Sequence, residues 1–93
     1  MNLNIMRRVH VIIKGKVQGV FFRANTEERA KALGIKGYVK NTSEGVEAVF
    51  EGDEEKVKDI LEFCAVGPEG AKVTSIEVTE QPYQEEFEEF SIS

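Results

Sequence analysis

The segment from Gly15 to Arg23 contains the residues whose types and spacing could bind an anion. An apolar stretch leads into a loop flanked by Gly15 and Gly19, and a helical pattern then opens with Arg23 in its first turn. Glycines let backbone N–H groups converge, a helix start carries partial positive charge, and a guanidinium binds oxygens in pairs. The loop has no serine, cysteine, histidine, aspartate or glutamate, so it offers no obvious nucleophile or acid–base group. We therefore predict a site that acts by holding an oxyanion.

The flanking sequence predicts the elements that position this loop. Alternating apolar residues predict a strand over 8–14 before the loop, and apolar residues on one side predict a helix over 22–33 after it. Further along, the patterns predict a second helix from Asp53 to Gly67 and strands over 35–41, 46–51, 71–79 and 87–92. This order predicts an α+β fold, a ferredoxin-like sandwich with two helices on one face of a mostly antiparallel sheet.

Asn41 is predicted to lie beside Arg23. The first helix carries the chain about 15 Å away from the loop at about 1.5 Å per residue. The next strand returns it about 20 Å at about 3.3 Å per residue and ends at Asn41. A side-chain amide both donates and accepts hydrogen bonds, which suits it to orienting a water molecule beside a bound anion.

Composition limits the class of protein. A chain of 93 residues has room for one domain, which we assign to 8–93, with 1–7 as a flexible leader. The formal net charge of −5 argues against a general nucleic-acid binder. A single cysteine, Cys64, rules out an internal disulfide and favours a cytoplasmic location. No apolar run approaches the roughly 20 residues that cross a bilayer, so we expect no membrane association.

Two stretches resemble the two-part signature of the acylphosphatases. They are 15–23 (GKVQGVFFR) and 30–41 (AKALGIKGYVKN). Downstream, 51–52 (EG) and 67–73 (GPEGAKV) are similar to later landmarks of that family. The chain departs from the pattern at Tyr38, where tryptophan is common, and at the hairpin after Asn41, which is about one residue shorter.

The resemblance implies a hydrolase that cleaves the carboxyl–phosphate anhydride of acyl phosphates. It implies that Arg23 binds the phosphoryl group and Asn41 orients the attacking water, without a metal or another cofactor. The expected partners are a small acyl phosphate and, as product or inhibitor, inorganic phosphate or sulfate, and we expect a monomer. The backbone expected to cradle the phosphate comprises Gly15, Lys16, Val17, Gln18, Gly19, Val20, Phe21 and Phe22.

Two other functions stay open on the sequence. The same loop could serve a non-catalytic, phosphate-binding regulatory domain. A ferredoxin-like sheet could also bind RNA, although the acidic balance and the lack of a recognisable aromatic pair on adjacent strands weigh against it. His10 and Cys64 are residue types that often act in catalysis, but we predict that His10 packs in the sheet or on its surface and that Cys64 is buried. The acidic cluster over 85–89 is expected to be a solvated edge rather than a metal site.

Overall fold

Five strands and two helices make up residues 5–93, the part of the chain that the computed structural model describes. In chain order they are β1 (Met6–Lys16), α1 (Phe22–Ala32), β2 (Lys36–Thr42), β3 (Gly45–Asp53), α2 (Glu54–Val66), β4 (Lys72–Gln81) and β5 (Phe90–Ile92). The strands form one sheet in the order β4-β1-β3-β2-β5. All neighbours are antiparallel except β2 and β5, which run parallel. The predicted ferredoxin-like α+β architecture is confirmed.

The core lies between one face of this sheet and the two helices. Val9, Val11 and Ile13 alternate along β1 and are fully buried. Their partners on β3 are Phe50, Ala48 and Val46, which are buried on the same face. Burying a valine, isoleucine or phenylalanine side chain stabilises the fold by about 1.5–3 kcal/mol. The buried central strands β1 and β3 therefore fix the position from which the loop after β1 begins.

Each helix buries the side that its sequence pattern predicts. In α1 the buried residues are Phe22, Thr26 and Ala30, and in α2 they are Val57, Ile60 and Cys64. Asp53 caps α2, its side chain accepting a hydrogen bond from the N–H of Glu55 at 2.9 Å. On the outer side of α1, Lys31 lies 3.6 Å from Glu27. No helix within residues 5–93 is long and apolar enough to cross a membrane.

The first strand is longer than predicted at both ends. It begins at Met6, and Arg7 lies opposite Gly52 on β3, so part of the predicted leader belongs to the sheet. The rest of that leader, 1–4, lies outside the described residues. At its far end β1 continues through Lys16, which pairs with Lys72 on β4. Pairing with β3 at one end and with β4 at the other extends β1 beyond the stretch of alternating apolar residues that predicted it.

The final strand is shorter than predicted, spanning Phe90–Ile92 rather than 87–92. In the segment before it, the carbonyl of Glu89 still accepts a hydrogen bond from the N–H of Gly37 on β2 at 3.2 Å, while the earlier residues bind a side chain. The backbone N–H groups of residues 84–86 donate to the buried carboxylate of Glu51 at 2.8–3.2 Å. Phe87 meanwhile packs edge-on against Tyr38, with ring centroids 5.9 Å apart.

The hairpin between β2 and β3 is tight. Thr42 pairs with Gly45, which leaves Ser43 and Glu44 as a two-residue loop. The N–H of Glu44 donates to the Thr42 hydroxyl at 3.1 Å. The shortened turn therefore keeps the strands in register, and it places Asn41 close to the hairpin end of β2.

Candidate active site

A cavity of about 300 Å³ opens between the β1–α1 loop, the start of α1 and the end of β2. Arg23 and Asn41 both border it, as the return geometry of the chain predicts. We call this space the loop cavity. Its lining residues are Val17, Gln18, Gly19, Phe21, Phe22, Arg23, Ala24, Asn41 and Ile92.

Close contact between β1 and β4 shapes the entry to the loop. The pairing register shifts between Lys14 and Gly15. Gly15 has φ +125°, and a Cβ there would lie 2.1 Å from the carbonyl oxygen of Lys72. Because no side chain fits in that space, glycine is required for β1 to pass β4 and turn into the loop.

Phe21 gives α1 an unusual start. Its φ of 60° and ψ of 27° place it in the left-handed region, which side-chain-bearing residues rarely adopt. Its carbonyl accepts two hydrogen bonds from Asn25, at 3.0 Å from the backbone N–H and 2.8 Å from Nδ2. The next residue, Phe22, is buried in the core. The helix start is thus anchored from inside while Phe21 faces outward.

The two helix starts differ in a way that bears on anion binding. At α2, Asp53 occupies an N–H group and two glutamates lie in the first turn. At α1, within the described residues, no side chain caps the helix and no acidic residue lies in the first turn. The first N–H groups of a helix have no partner inside the helix, and they carry its partial positive charge. Those of α1 can therefore serve an anion from outside.

Gln18 ties the loop to the β2–β3 hairpin. Its Nε2 donates to the carbonyl oxygens of Thr42 and Gly45, each at 2.8 Å. The bond to Thr42 attaches the loop to the residue directly after Asn41. This side-chain role was not predicted, because turn carbonyls become its partners only when the hairpin folds beside the loop.

Arg23 differs from the other three arginines in its surroundings. Arg7 lies 2.6 Å from Glu80, Arg8 lies 2.7 Å from Glu86, and Arg29 lies 3.9 Å from Asp59. Within residues 5–93, no carboxylate lies within 4.0 Å of the guanidinium of Arg23. The donors of this half-buried cation are therefore not engaged by a carboxylate of the described residues, and the side chain borders the cavity.

The loop cavity includes part of the predicted phosphate cradle. Val17, Gln18, Gly19, Phe21 and Phe22 line it. The remaining members of the predicted cradle do not line it: Gly15, Lys16 and Val20. Two of these, Gly15 and Lys16, belong to β1 and pair with β4, so the loop proper begins at Val17.

Two further residues border the cavity without having been predicted there. Ala24 follows Arg23 in the first turn of α1, and Ile92 comes from the end of β5. Ile92 reaches the site because β5 pairs in parallel with β2, opposite Val39. No local pattern indicates that pairing, because its two strands are far apart in the chain.

His10 and Cys64 lie away from the cavity, as predicted. The Nε2 of His10 is 2.6 Å from the Glu47 carboxylate, on the sheet face opposite the helices. That hydrogen bond, aided by Lys40, lowers the pKa of Glu47. Burial raises the pKa of the Cys64 thiol to about 12, which keeps it protonated and unreactive at neutral pH.

Fold and cavity define a small ferredoxin-like α+β protein with a cavity at a strand–helix junction, which Arg23 and Asn41 both border. Comparison with known protein families identifies the family to which the chain belongs. The acylphosphatase family model matches residues 9–92. An acylphosphatase of Pyrobaculum aerophilum is 51% identical over 89 residues, covering 94% of each chain. The chain belongs to the acylphosphatase family, and it is an enzyme that hydrolyses acyl phosphates.

Solved structures agree with this assignment. An acylphosphatase from Coxiella burnetii superposes with a TM-score of 0.90 at 32% identity, covering all of both chains. The acylphosphatase from Bacillus subtilis gives a TM-score of 0.86 at 34% identity, covering 96% of this chain and 99% of that one. The first likeness covers the whole chain, and the second covers nearly all of it.

Proposed function

We propose that the loop cavity is where the acyl phosphate is hydrolysed, with Arg23 binding the phosphoryl group and Asn41 orienting the attacking water. The observation that carries this proposal is the meeting of both side chains at one cavity beside an uncapped helix start. In this role Arg23 donates two hydrogen bonds to phosphoryl oxygens. The backbone N–H groups of the loop and of the first turn of α1 donate to the same group.

The reaction itself needs little acid–base help. Water attacks phosphorus, the bond between phosphorus and the anhydride oxygen breaks, and that oxygen leaves on the carboxylate. A carboxylate with a pKa of about 4–5 departs without a proton, so a general acid is not required. The cavity-lining residues accordingly include no acidic or basic side chain that titrates near neutral pH.

Asn41 positions the water in this scheme. Its amide oxygen accepts a hydrogen bond from the water while the lone pair on the water oxygen faces phosphorus, in line with the departing carboxylate. The proton that the water loses passes to a phosphoryl oxygen, giving inorganic phosphate. Asn41 therefore acts on the attack and contributes little to binding the phosphate.

The proposed mechanism uses no metal ion. Arg23 and the N–H groups neutralise the charge on the phosphoryl oxygens, which is the main requirement of phosphoryl transfer. Arginine side chains stay protonated over the whole working range. Phosphate release should therefore survive a chelator and vary little from mildly acidic to neutral pH. Loss of activity in a chelator with recovery on adding magnesium would refute the metal-free mechanism.

The test of Arg23 is phosphate release from benzoyl phosphate by the purified chain and by Arg23→Gln. We expect a loss of at least about 10²–10³-fold in kcat/KM, the usual effect of removing a preorganised donor to a developing charge. Competitive inhibition by inorganic phosphate should weaken in parallel. Arg29→Gln is the matched control, because Arg29 lies on the same helix but outside the loop cavity. Equal activities of the two variants would exclude the proposed role.

Asn41→Ala separates catalysis from binding. We expect kcat to fall by about 10²-fold or more, while the inhibition constant of inorganic phosphate stays within about twofold. Near-normal turnover would remove Asn41 from the mechanism. If the unmodified chain bound phosphate but released none from either benzoyl or acetyl phosphate, the site would be a non-catalytic anion-binding one.

A further inference from the structure

Two large apolar side chains that border the loop cavity are exposed, although a phosphate needs neither of them. Phe21 is 79% exposed and Ile92 is 40% exposed. A phosphoryl group is bound by charges and hydrogen-bond donors, which the loop and Arg23 supply. A large aromatic ring and a branched aliphatic side chain beside such a site suit a different, apolar part of the same ligand.

The conformation of Phe21 strengthens this point. Its backbone is left-handed, a conformation in which glycine or asparagine would be less strained. Asn25 holds the Phe21 carbonyl through two hydrogen bonds, which fixes the direction in which the ring leaves the chain. Strained residues persist where the surrounding structure enforces them, and they concentrate at functional sites. Here the strained backbone conformation places an exposed aromatic ring at the edge of the cavity.

Charge narrows the kind of ligand further. Arg23 is the one charged side chain among the described residues that line the cavity. An ammonium on the acyl group would find no carboxylate partner there. A second carboxylate on the acyl group would compete with the phosphoryl group for Arg23. A neutral acyl group avoids both penalties.

We propose that Phe21 and Ile92 contact the acyl group of the substrate, and that they make this enzyme favour acyl phosphates with an apolar, especially aromatic, acyl group. The inference rests on the proposed function of the loop cavity. With the phosphoryl group at Arg23, the acyl group extends toward the exposed rim of the cavity. Packing there removes apolar surface from water on both partners, and an aromatic acyl group adds ring–ring contact with Phe21.

The experiment measures kcat/KM for benzoyl phosphate and for acetyl phosphate and takes their ratio as the selectivity. The intrinsic reactivities of the two substrates cancel when the ratio of a variant is compared with that of the unmodified chain. Phe21→Asn removes the ring and suits the left-handed backbone, and Phe21→Leu keeps an apolar side chain. Ile92→Thr keeps the branching at Cβ but replaces the ethyl group by a hydroxyl. Val66→Thr is the control, since Val66 is 74% exposed but does not line the loop cavity.

We expect the selectivity for benzoyl phosphate to fall about tenfold in Phe21→Asn and about threefold in Ile92→Thr. Phe21→Leu should retain an intermediate value, and Val66→Thr should match the unmodified chain. The change should appear mainly in KM for benzoyl phosphate, because contact with the acyl group is made equally in the ground and transition states.

Other outcomes separate the two proposals. If Phe21→Asn and Ile92→Thr slow both substrates by the same factor, their role is to hold the loop, and the acyl contact is refuted while hydrolysis at the cavity stands. An unchanged ratio with unchanged rates refutes the acyl contact in the same way. Failure of the unmodified chain to hydrolyse either substrate would instead overturn the proposed function, and this inference with it.

Discussion

At the scale of single residues, ionisable side chains in this protein differ mainly in whether they have a partner. Arg8 contacts Glu51 and Glu86 and serves the fold. Arg23, without a carboxylate within 4.0 Å in residues 5–93, borders the loop cavity. A guanidinium already engaged by a carboxylate has fewer donors to offer a phosphate. The neighbours of an arginine therefore decide whether its guanidinium is engaged within the fold or available at the cavity.

The carboxylate of Glu47 should contribute to stability in a way that depends on pH. Its hydrogen bond with His10 lowers its pKa below the ordinary value of 4.5, and Lys40 adds to the effect. A carboxyl whose pKa is lower in the folded state stabilises the fold fully above the unfolded pKa, and this contribution disappears as the pH falls through the folded pKa. Glu47→Gln should therefore be less stable than the unmodified chain at neutral pH, with the difference shrinking below about pH 4.5.

Urea unfolding at a series of pH values measures this difference. Glu62→Gln controls for the loss of one negative charge, because Glu62 is exposed on α2 and remote from His10 and Glu47. A stability difference between Glu47→Gln and the unmodified chain that stayed constant down to pH values well below 4.5 would contradict the assignment.

At the scale of elements, the loop after β1 depends on two contacts from outside itself. Gly15 lets β1 pass against β4, and Gln18 fastens the loop to the carbonyl oxygens of the β2–β3 hairpin. Since Asn41 lies just before that hairpin, the same side chain links the two halves of the site. The loop geometry is therefore a property of the four strands β1, β2, β3 and β4 together.

Gln18→Ala should loosen this link. Both carbonyl oxygens would accept hydrogen bonds from water instead, so the expected loss of unfolding free energy is modest, about 1 kcal/mol. The expected effect on catalysis is larger, about tenfold in kcat/KM, because small misplacements of positioning groups are costly. Urea unfolding and phosphate release measure the two effects.

Gln84→Ala is the control for this variant, since Gln84 is exposed and lies in the segment beside Glu51. If Gln18→Ala kept full activity, the link from loop to hairpin would have no part in placing Asn41.

At the scale of the whole molecule, a buried glutamate holds the C-terminal segment against the sheet. Glu51 is 2% exposed, and its carboxylate accepts hydrogen bonds from three successive backbone N–H groups and from Arg8. This anchor directs the chain across the sheet toward β5, which pairs with β2 and ends beside the loop cavity. A residue near the end of β3 thereby influences which residues reach the cavity.

Glu51→Gln should destabilise the protein by about 1–3 kcal/mol, because an amide loses the charge and turns a donor toward other donors. Guanidinium unfolding measures the loss, and Glu88→Gln, in the exposed part of the same segment, is the control. A loss equal to that of the control would mean that the three hydrogen bonds contribute nothing net.

Local rules account for much of the fold. The alternation in β1, the apolar side of each helix and the Asp53 cap depend on neighbours a few residues away, and each is observed as predicted. Strand ends were less predictable. The end of β4 is polar yet pairs with β1, and residues 84–86 before β5 bind the carboxylate of Glu51. Such ends are decided by partners that are distant in the chain.

For the site, the sequence by itself determined the types and the order of the residues: a loop flanked by glycines, an arginine in the first helical turn, and an asparagine at the end of the returning strand. Regular geometry along that path is enough to bring Arg23 and Asn41 together. Tertiary structure alone decided the rest of the cavity. The cross-links from Gln18 and the arrival of Ile92 arise from long-range pairing, which no local pattern in the sequence encodes.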